Sequence, residues 1–336
     1  MRIVIVGGGV LGTMHAAEAV RRGHYVAHVE RDAEPCGASV RDIGLVRVGG
    51  RADGAEELST ALRARELWER IARDVPDVGF RPNGSLTVAR TAAELDALAG
   101  VAERPDAAER GCKLLGAEEA RAFAPALRGA MLGALWCERD AAVEPRAVLP
   151  ALRAHLAETG RYAWLPGRDV LGLGDMRDVG TASVRDDHGA THEGDAVVLC
   201  TGAHLSGMVR ELAPDLPVHR ARLQLMQTAP LDEPLAAAAH AGRLRMVQRP
   251  DGGLTIGGAH APGEPSPSAA AEAVLGRTLP PVRRRWSSVH ARCADPSRIV
   301  HRARVGEDAW LVTGSGEHGL THAPALAEET ANHLNL

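Results

Sequence analysis

Aromatic side chains are scarce: five Trp, two Tyr and two Phe make up 3% of the 336 residues, so the interior must be assembled from Ala, Val and Leu. Lysine is almost missing. Lys113 is the only one, and arginine carries the positive charge. Neither sign of charge dominates, with 39 basic against 43 acidic residues and a net charge of −4. That balance excludes the broad basic footprint of a general nucleic-acid binder, though not a local basic pocket. No apolar run approaches about 18 residues, so no helical membrane span is expected. The five cysteines (Cys36, Cys112, Cys137, Cys200 and Cys293) are far apart and form no CxxC pair. Neither a metal site nor a disulfide framework is expected, and a reducing cytoplasm is the expected compartment. The opening MRIVIVGGG lacks the basic-then-apolar pattern of a signal peptide. What remains is ordinary globular composition, 45% hydrophobic and 24% charged, in a length suited to two lobes.

The first thirty residues carry the strongest local signal. Arg2 to Val6 (RIVIV) is a β-branched run suited to a strand buried on both faces. It enters GGGVLG, with Gly7, Gly9 and Gly12 in GxGxxG spacing. A helical stretch from Thr13 to Arg22, a stop at Gly23 and a second strand from His24 to Val29 follow, ending at Glu30. Gly7 permits the tight turn, Gly9 lets the backbone approach a pyrophosphate, and Gly12 lets helix and strand pack closely. The helix start offers free N–H groups and partial positive charge to phosphates. Glu30, 23 residues after Gly7, is placed to accept hydrogen bonds from ribose hydroxyls. The motif predicts dinucleotide binding and leaves NAD and FAD both open.

Three later segments favour the flavin. Cys36 to Gly50 (CGASVRDIGLVRVGG) reads as a loop and strand start laid along a long cofactor, with Ser39, Gly44 and Leu45 against it. Asp195 to Gly202 (DAVVLCTG) reads as a buried strand ending at Thr201-Gly202, where glycine permits close backbone approach. Trp310 to Thr313 leads into GSGEHGLTHAP, where Gly314, Gly316 and Gly319 precede a helix expected to begin near Ala323-Pro324.

The ordered set RIVIVGGGVLG, VERD, GASVRDIGL, VVLCTGA and GSGEHGLTHAP resembles the FAD-dependent D-amino acid oxidase superfamily over essentially the whole chain. Its glycine- and sarcosine-oxidising members and those associated with aminophosphonates are the most similar. The resemblance implies an α/β fold: a Rossmann-type FAD-binding domain (1–75, 144–216 and 299–336) interleaved with an α+β substrate domain (76–143 and 217–298) on a mixed or antiparallel sheet. It also implies Val10 and Leu11 at the pyrophosphate, Glu30 and Arg31 near the adenosine, and Ala38 and Ser39 along the pyrophosphate. Gly44 and Leu45 would lie against the flavin, Val170 at the adenine, and His318, Gly319, Leu320 and Thr321 over the flavin pyrimidine edge. The final segment lacks the cysteine of covalently flavinylated relatives, so the FAD is expected to be non-covalent.

Amine oxidation of this kind needs an oriented, unprotonated nitrogen more than a nucleophile. The side chains sought are therefore those that grip an anion. Aligned on Trp286-Ser287-Ser288-Val289, the basic carboxylate-binding residue of glycine-oxidising relatives falls on His290. This departure weighs against simple amino-acid oxidation. Arg292, two residues on, shares a face with His290 if the segment is a strand. Arg41, Arg47 and Arg51 follow the flavin loop, and Arg47 points into the pocket if 45–49 is a strand. Paired guanidinium hydrogen bonds suit a phosphonate. Asp42, where relatives often have Asn, would need an arginine partner beside an anion. His260, His318 and His322 are candidates to take a proton from the incoming ammonium.

The expected function is FAD-dependent oxidation of a small amine bearing an acidic group, favouring 2-aminoethylphosphonate or its N-methyl form. Oxygen or another acceptor would take the electrons. The alternatives are a glycine-, sarcosine- or D-amino-acid-type oxidase or dehydrogenase, then an NAD-dependent dehydrogenase, then a non-catalytic flavin-binding subunit.

Overall fold

The computed structural model describes residues 1–49, 55–174, 182–204, 207–258 and 265–336. The opening strand Arg2–Val6 lies within a six-stranded sheet in the order His301–Arg304, Ala309–Thr313, Ala196–Leu199, Arg2–Val6, Tyr25–Val29, Tyr162–Leu165. All neighbours are parallel except the antiparallel edge strand His301–Arg304. Both faces of this sheet are buried, which explains the unbroken apolar run RIVIV. Ile3 and Ile5 pack beneath the helices Val10–Arg21, Ala55–Asp74, Pro145–Glu158 and Gly319–His333. Val4 and Val6 face the other way. They share a core with Val170 and Val184 of the three-stranded sheet Thr191–Gly194, Ala182–Asp186, Val170–Leu173.

The second large sheet has eight strands, in the order Val282–Cys293, Val218–Pro230, Gly253–Gly258, Leu244–Gln248, Ala238–Ala241, Ser85–Ala89, Gly133–Cys137, Cys112–Gly116. It is antiparallel except where Ala238–Ala241 meets Ser85–Ala89, so it is mixed as expected. Leu86, Met246, Leu254 and Ile256 fill its core with Leu275 of the helix Pro267–Leu275. The expected α/β fold with two interleaved sheet systems is present.

Three elements depart from the sequence reading. The first helix begins at Val10, not Thr13, so the last glycine of the motif lies inside it. The strand expected over 45–49 stops at Val46 and pairs with Ala141–Ala142. The amides of Val48 and Gly49 go instead to Asp140, whose Oδ1 accepts both at 2.6 and 2.8 Å. The last helix begins at Gly319, leaving Pro324 in its interior rather than in its first turn. Pro324 has no N–H for Leu320 O. The Trp68 indole N–H donates to that carbonyl at 2.9 Å, so it is not left unpaired.

Candidate functional site

The turn after the first strand is held from below. Gly7 has φ +107°, and a β-carbon there would meet Cys200 O; one at Gly12 would run into Gly7 O. Both positions therefore require glycine. The His28 Nε2–H donates to Gly7 O at 3.0 Å while its Nδ1 accepts the Tyr162 hydroxyl at 2.9 Å, which fixes a neutral tautomer. Burial holds His28 at about 4, and likewise His15, whose Nδ1–H donates to Leu11 O at 2.7 Å.

A cleft opens above this turn. Its walls come from five stretches far apart in sequence: Gly9, Val10 and Leu11; Ala38, Ser39 and Asp42; Cys200, Gly202 and Ala203; His290 and Ala291; and Thr313 to Gly316 with Gly319 and Leu320. Ser39 Oγ accepts the Val10 N–H at 2.9 Å and ties the second stretch to the helix start. Glu30 accepts the amides of Gly8 (2.5 Å) and Asp32 (2.9 Å), leaving lone pairs on its carboxylate for further donors. Thr201 Oγ1 is buried without a hydrogen-bond partner beside Gly202, which is itself anchored through its carbonyl by the Thr313 hydroxyl at 3.2 Å. A helix N-terminus and an acidic residue at the end of the second strand are the donor and acceptor set that a dinucleotide needs.

A second cavity, of about 360 Å3, shares Asp42 and His290 with the cleft. Arginine dominates its polar lining: Arg47, Arg243, Arg245 and Arg292, with His318 and Glu317 at one side. His290 and Arg292 lie two residues apart on the strand Val282–Cys293 and both face the cavity, as their spacing predicted. The His290 Nδ1–H donates to Gly316 O at 3.1 Å, and its buried Nε2 has no partner. Arg292 bridges by backbone to Ser315, so this strand is locked to the loop that closes the cleft. Arg47 is 9% exposed, its Nε lies 3.9 Å from Asp140 Oδ2, and it borders both this cavity and an adjoining one of about 260 Å3. Behind it the fully buried His240 has neither ring nitrogen hydrogen-bonded; burial and the nearby Arg47 and Arg245 hold it far below its usual range. Thr321 joins the last helix to the segment after Gly44, since its Oγ1 accepts the Arg47 N–H and donates to Leu45 O, both at 3.1 Å.

Not every expected residue meets at the cleft. Gly44, with φ +85°, packs against Val143 and Pro145, while Leu45 borders the second cavity. Val170 is buried in the core with Val4 and Val6 and is not on the cleft wall. Arg31 pairs with Asp32 at 3.0 Å and reaches His204 at 2.7 Å. Arg41 is exposed, and its Nη1 donates to Ser287 O at 3.4 Å. His260 and Arg51 lie outside the described residues. Sequence reading missed Arg243 and Arg245, whose i, i+2 spacing at the start of a strand was the available signal. It also missed Asp140, which only the folded chain brings to Arg47. Among the described residues no cluster of His, Cys, Asp and Glu could hold a metal ion, and no helix is long and apolar enough to cross a membrane.

Comparison with known proteins agrees with the two-part geometry. The model of the FAD dependent oxidoreductase (DAO) family matches residues 2–333. The chain belongs to this family. Its members' cofactor is FAD, and the open choice between NAD and FAD closes in favour of the flavin. Among curated relatives, the tRNA 5-methylaminomethyl-2-thiouridine biosynthesis bifunctional protein MnmC of Maricaulis maris is 26% identical over 337 residues, covering 99% of this chain and 52% of that protein. Glycine oxidase of Geobacillus kaustophilus is 27% identical over 249 residues, 67% of this chain and 63% of that protein. The chain thus spans less than two thirds of the length of either relative. The crystal structure of glycine oxidase from Geobacillus kaustophilus superimposes with a TM-score of 0.86 at 20% identity, covering 99% of this chain and 95% of the other. Iminodiacetate oxidase from Chelativorans superimposes with a TM-score of 0.81 at 20% identity, covering 97% and 93%. The family is one of oxidoreductases.

Proposed function

We propose that this flavoenzyme oxidises a small amine carrying an acidic group. The observation that carries the reading is the cavity beside the cofactor cleft, where Arg47, Arg243, Arg245 and Arg292 surround a space of about 360 Å3. So many guanidinium groups around one small space favour a multiply charged anion, because planar forks make paired, charge-assisted bonds to phosphonate or carboxylate oxygens. An aminophosphonate such as 2-aminoethylphosphonate or its N-methyl form is the favoured substrate. A glycine- or sarcosine-type carboxylate is the second reading, supported by the glycine oxidase relative.

Gly9, Val10, Leu11, Ser39, Gly202, Gly316, Gly319 and Leu320 would hold the FAD by its phosphates and ring edge, with Glu30 toward the ribose. Bound FAD supplies a two-electron acceptor for the hydride on the carbon next to nitrogen. The chain's own work is orientation. Arg47 and Arg292 hold the anion, the Thr321–Leu45 and His290–Gly316 bonds fix the walls, and the imine hydrolyses in water after release. The division into an FAD lobe (1–75, 144–216, 299–336) and a substrate lobe (76–143, 217–298) belongs to the same reading, as does non-covalent attachment. Acid precipitation should leave the yellow chromophore in the supernatant. Oxygen or another acceptor completes the cycle.

The test is anaerobic mixing of the flavin-loaded protein with 2-aminoethylphosphonate, its N-methyl form, glycine and sarcosine. Bleaching by the phosphonates alone supports the favoured reading. Bleaching by the carboxylates alone selects the second, and bleaching by none of the four contradicts both.

A further inference from the structure

Asp42 is the residue at which the cavities meet. It borders the cofactor cleft, the arginine-lined cavity and a third space of about 260 Å3 that reaches Glu144, Arg249 and Trp286. Asp42 is 8% exposed. Oδ1 accepts the Gly44 N–H at 2.8 Å, and the backbone carbonyl accepts from Arg249 Nη2 at 3.4 Å. The side chain is thus pinned by one oxygen, on the seam between the place where an amine would be oxidised and the place where its anion would be gripped.

We infer that Asp42 is the catalytic residue that takes the proton from the substrate ammonium. This rests on the proposed acidic-amine activity. The step balances without any oxidant. An N–H bond of the ammonium breaks, its electron pair stays on nitrogen as the lone pair, and an O–H bond forms on the Asp42 carboxylate. The amine leaves this step neutral, the form from which hydride can depart. The cavity also carries charge of both signs, so that the arginines attract the anion while Asp42 attracts the ammonium. A negative charge beside an anion-binding site is thereby accounted for. The groups facing Asp42 are His290 from the long strand, Arg249 from the substrate sheet and Glu317 from the cleft-closing loop. Burial raises the carboxyl above its ordinary range, with Glu317 in the same direction and His290, the Gly44 N–H and Arg249 opposing. A base with raised proton affinity is a better match for an ammonium donor than an ordinary surface carboxylate. Histidine is the residue type usually expected in this role, and His290 is the competing acceptor through its unpartnered Nε2.

The test uses the flavin-loaded protein with Asp42→Asn and His290→Asn variants. In rapid anaerobic reduction at saturating substrate, Asp42→Asn should slow bleaching at pH 7 by roughly 10²-fold. It should recover nearly the wild-type rate above the pKa of the substrate amine, where nitrogen arrives already neutral. A loss that is the same at every pH, or a pH limb that moves in His290→Asn and not in Asp42→Asn, overturns the inference. A second readout needs no turnover. 2-Aminoisobutyrate and (2-amino-2-methylpropyl)phosphonate have no hydrogen on the carbon next to nitrogen and cannot be oxidised. Infrared difference spectra on binding either one should show a carboxylic-acid C=O band in the wild type that is missing in Asp42→Asn. Binding without that band overturns the assignment of Asp42 alone. Failure of both analogues to bind removes the acidic-amine reading and this inference with it.

Discussion

At the scale of single residues, the molecule repeatedly completes a hydrogen bond from a distant part of the chain. Pro324 withdraws the donor due to Leu320 O, and Trp68, more than 250 positions earlier in the sequence, replaces it at 2.9 Å. Trp68→Phe should cost about 1–3 kcal/mol by leaving that buried carbonyl unpaired. In a Pro324→Ala background residue 324 regains an N–H, and the same substitution should cost about 1 kcal/mol less. Chemical denaturation of the four proteins in the cycle measures this, and strict additivity would refute the compensation. His15 and His28 make a second prediction. Both sit near 4 when folded against 6.5 otherwise, so the unfolded chain binds more protons between these values. Stability should therefore rise with pH across that window and fall on acidification, by about 2 kcal/mol for each histidine at pH 5 relative to neutrality. Urea unfolding at pH 7 and pH 5 measures the slope, and His28→Gln should flatten it. The residues of the glycine turn were legible in the sequence because their requirement is local. The Trp68 and His28 bonds were not, because a side chain's partner across the fold leaves no mark at either position.

Elements carry the next level of meaning. A strand through this segment would put His290 and Arg292 on one face; the strand Val282–Cys293 is present, and both residues line the cavity. The segment after Leu45 misled for a physical reason: LVRVG alternates like a strand, but Asp140 captures the amides of Val48 and Gly49 and ends the pairing at Val46. Asp140 Oδ2 also accepts the Ser85 hydroxyl at 2.7 Å, so one carboxylate fastens the Arg47 segment to the eight-stranded sheet. Asp140→Ala should destabilise the protein by about 2–4 kcal/mol through these lost charge-assisted bonds, read as a lowered urea midpoint. Arg292→Gln acts differently. It should raise KM for an acidic amine roughly 10- to 100-fold, the worth of about 1.5–3 kcal/mol of charged hydrogen bonding. Flavin reduction at saturation should change little. An unchanged KM would remove Arg292 from anion binding.

Over the whole molecule, the glycine-lined cleft is assembled from stretches near residues 10, 40, 200, 290 and 315, and the cavity beside it is walled in large part by the eight-stranded sheet. The stretches near 10, 40, 200 and 315 could be read in sequence because each carries glycines or small residues in a fixed order around apolar strands. The substrate side was legible only in part. Arginines are spread through this chain, and composition alone does not distinguish Arg243 and Arg245 at the cavity from Arg41 at the surface. The most direct test is a crystal structure of the flavin-loaded protein with (2-amino-2-methylpropyl)phosphonate bound. The account predicts phosphonate oxygens held by Arg47 and Arg292, with nitrogen turned toward Asp42 at the edge of the flavin. A ligand whose anion lies away from these arginines, or a flavin outside the cleft between Val10 and Gly316, would contradict it.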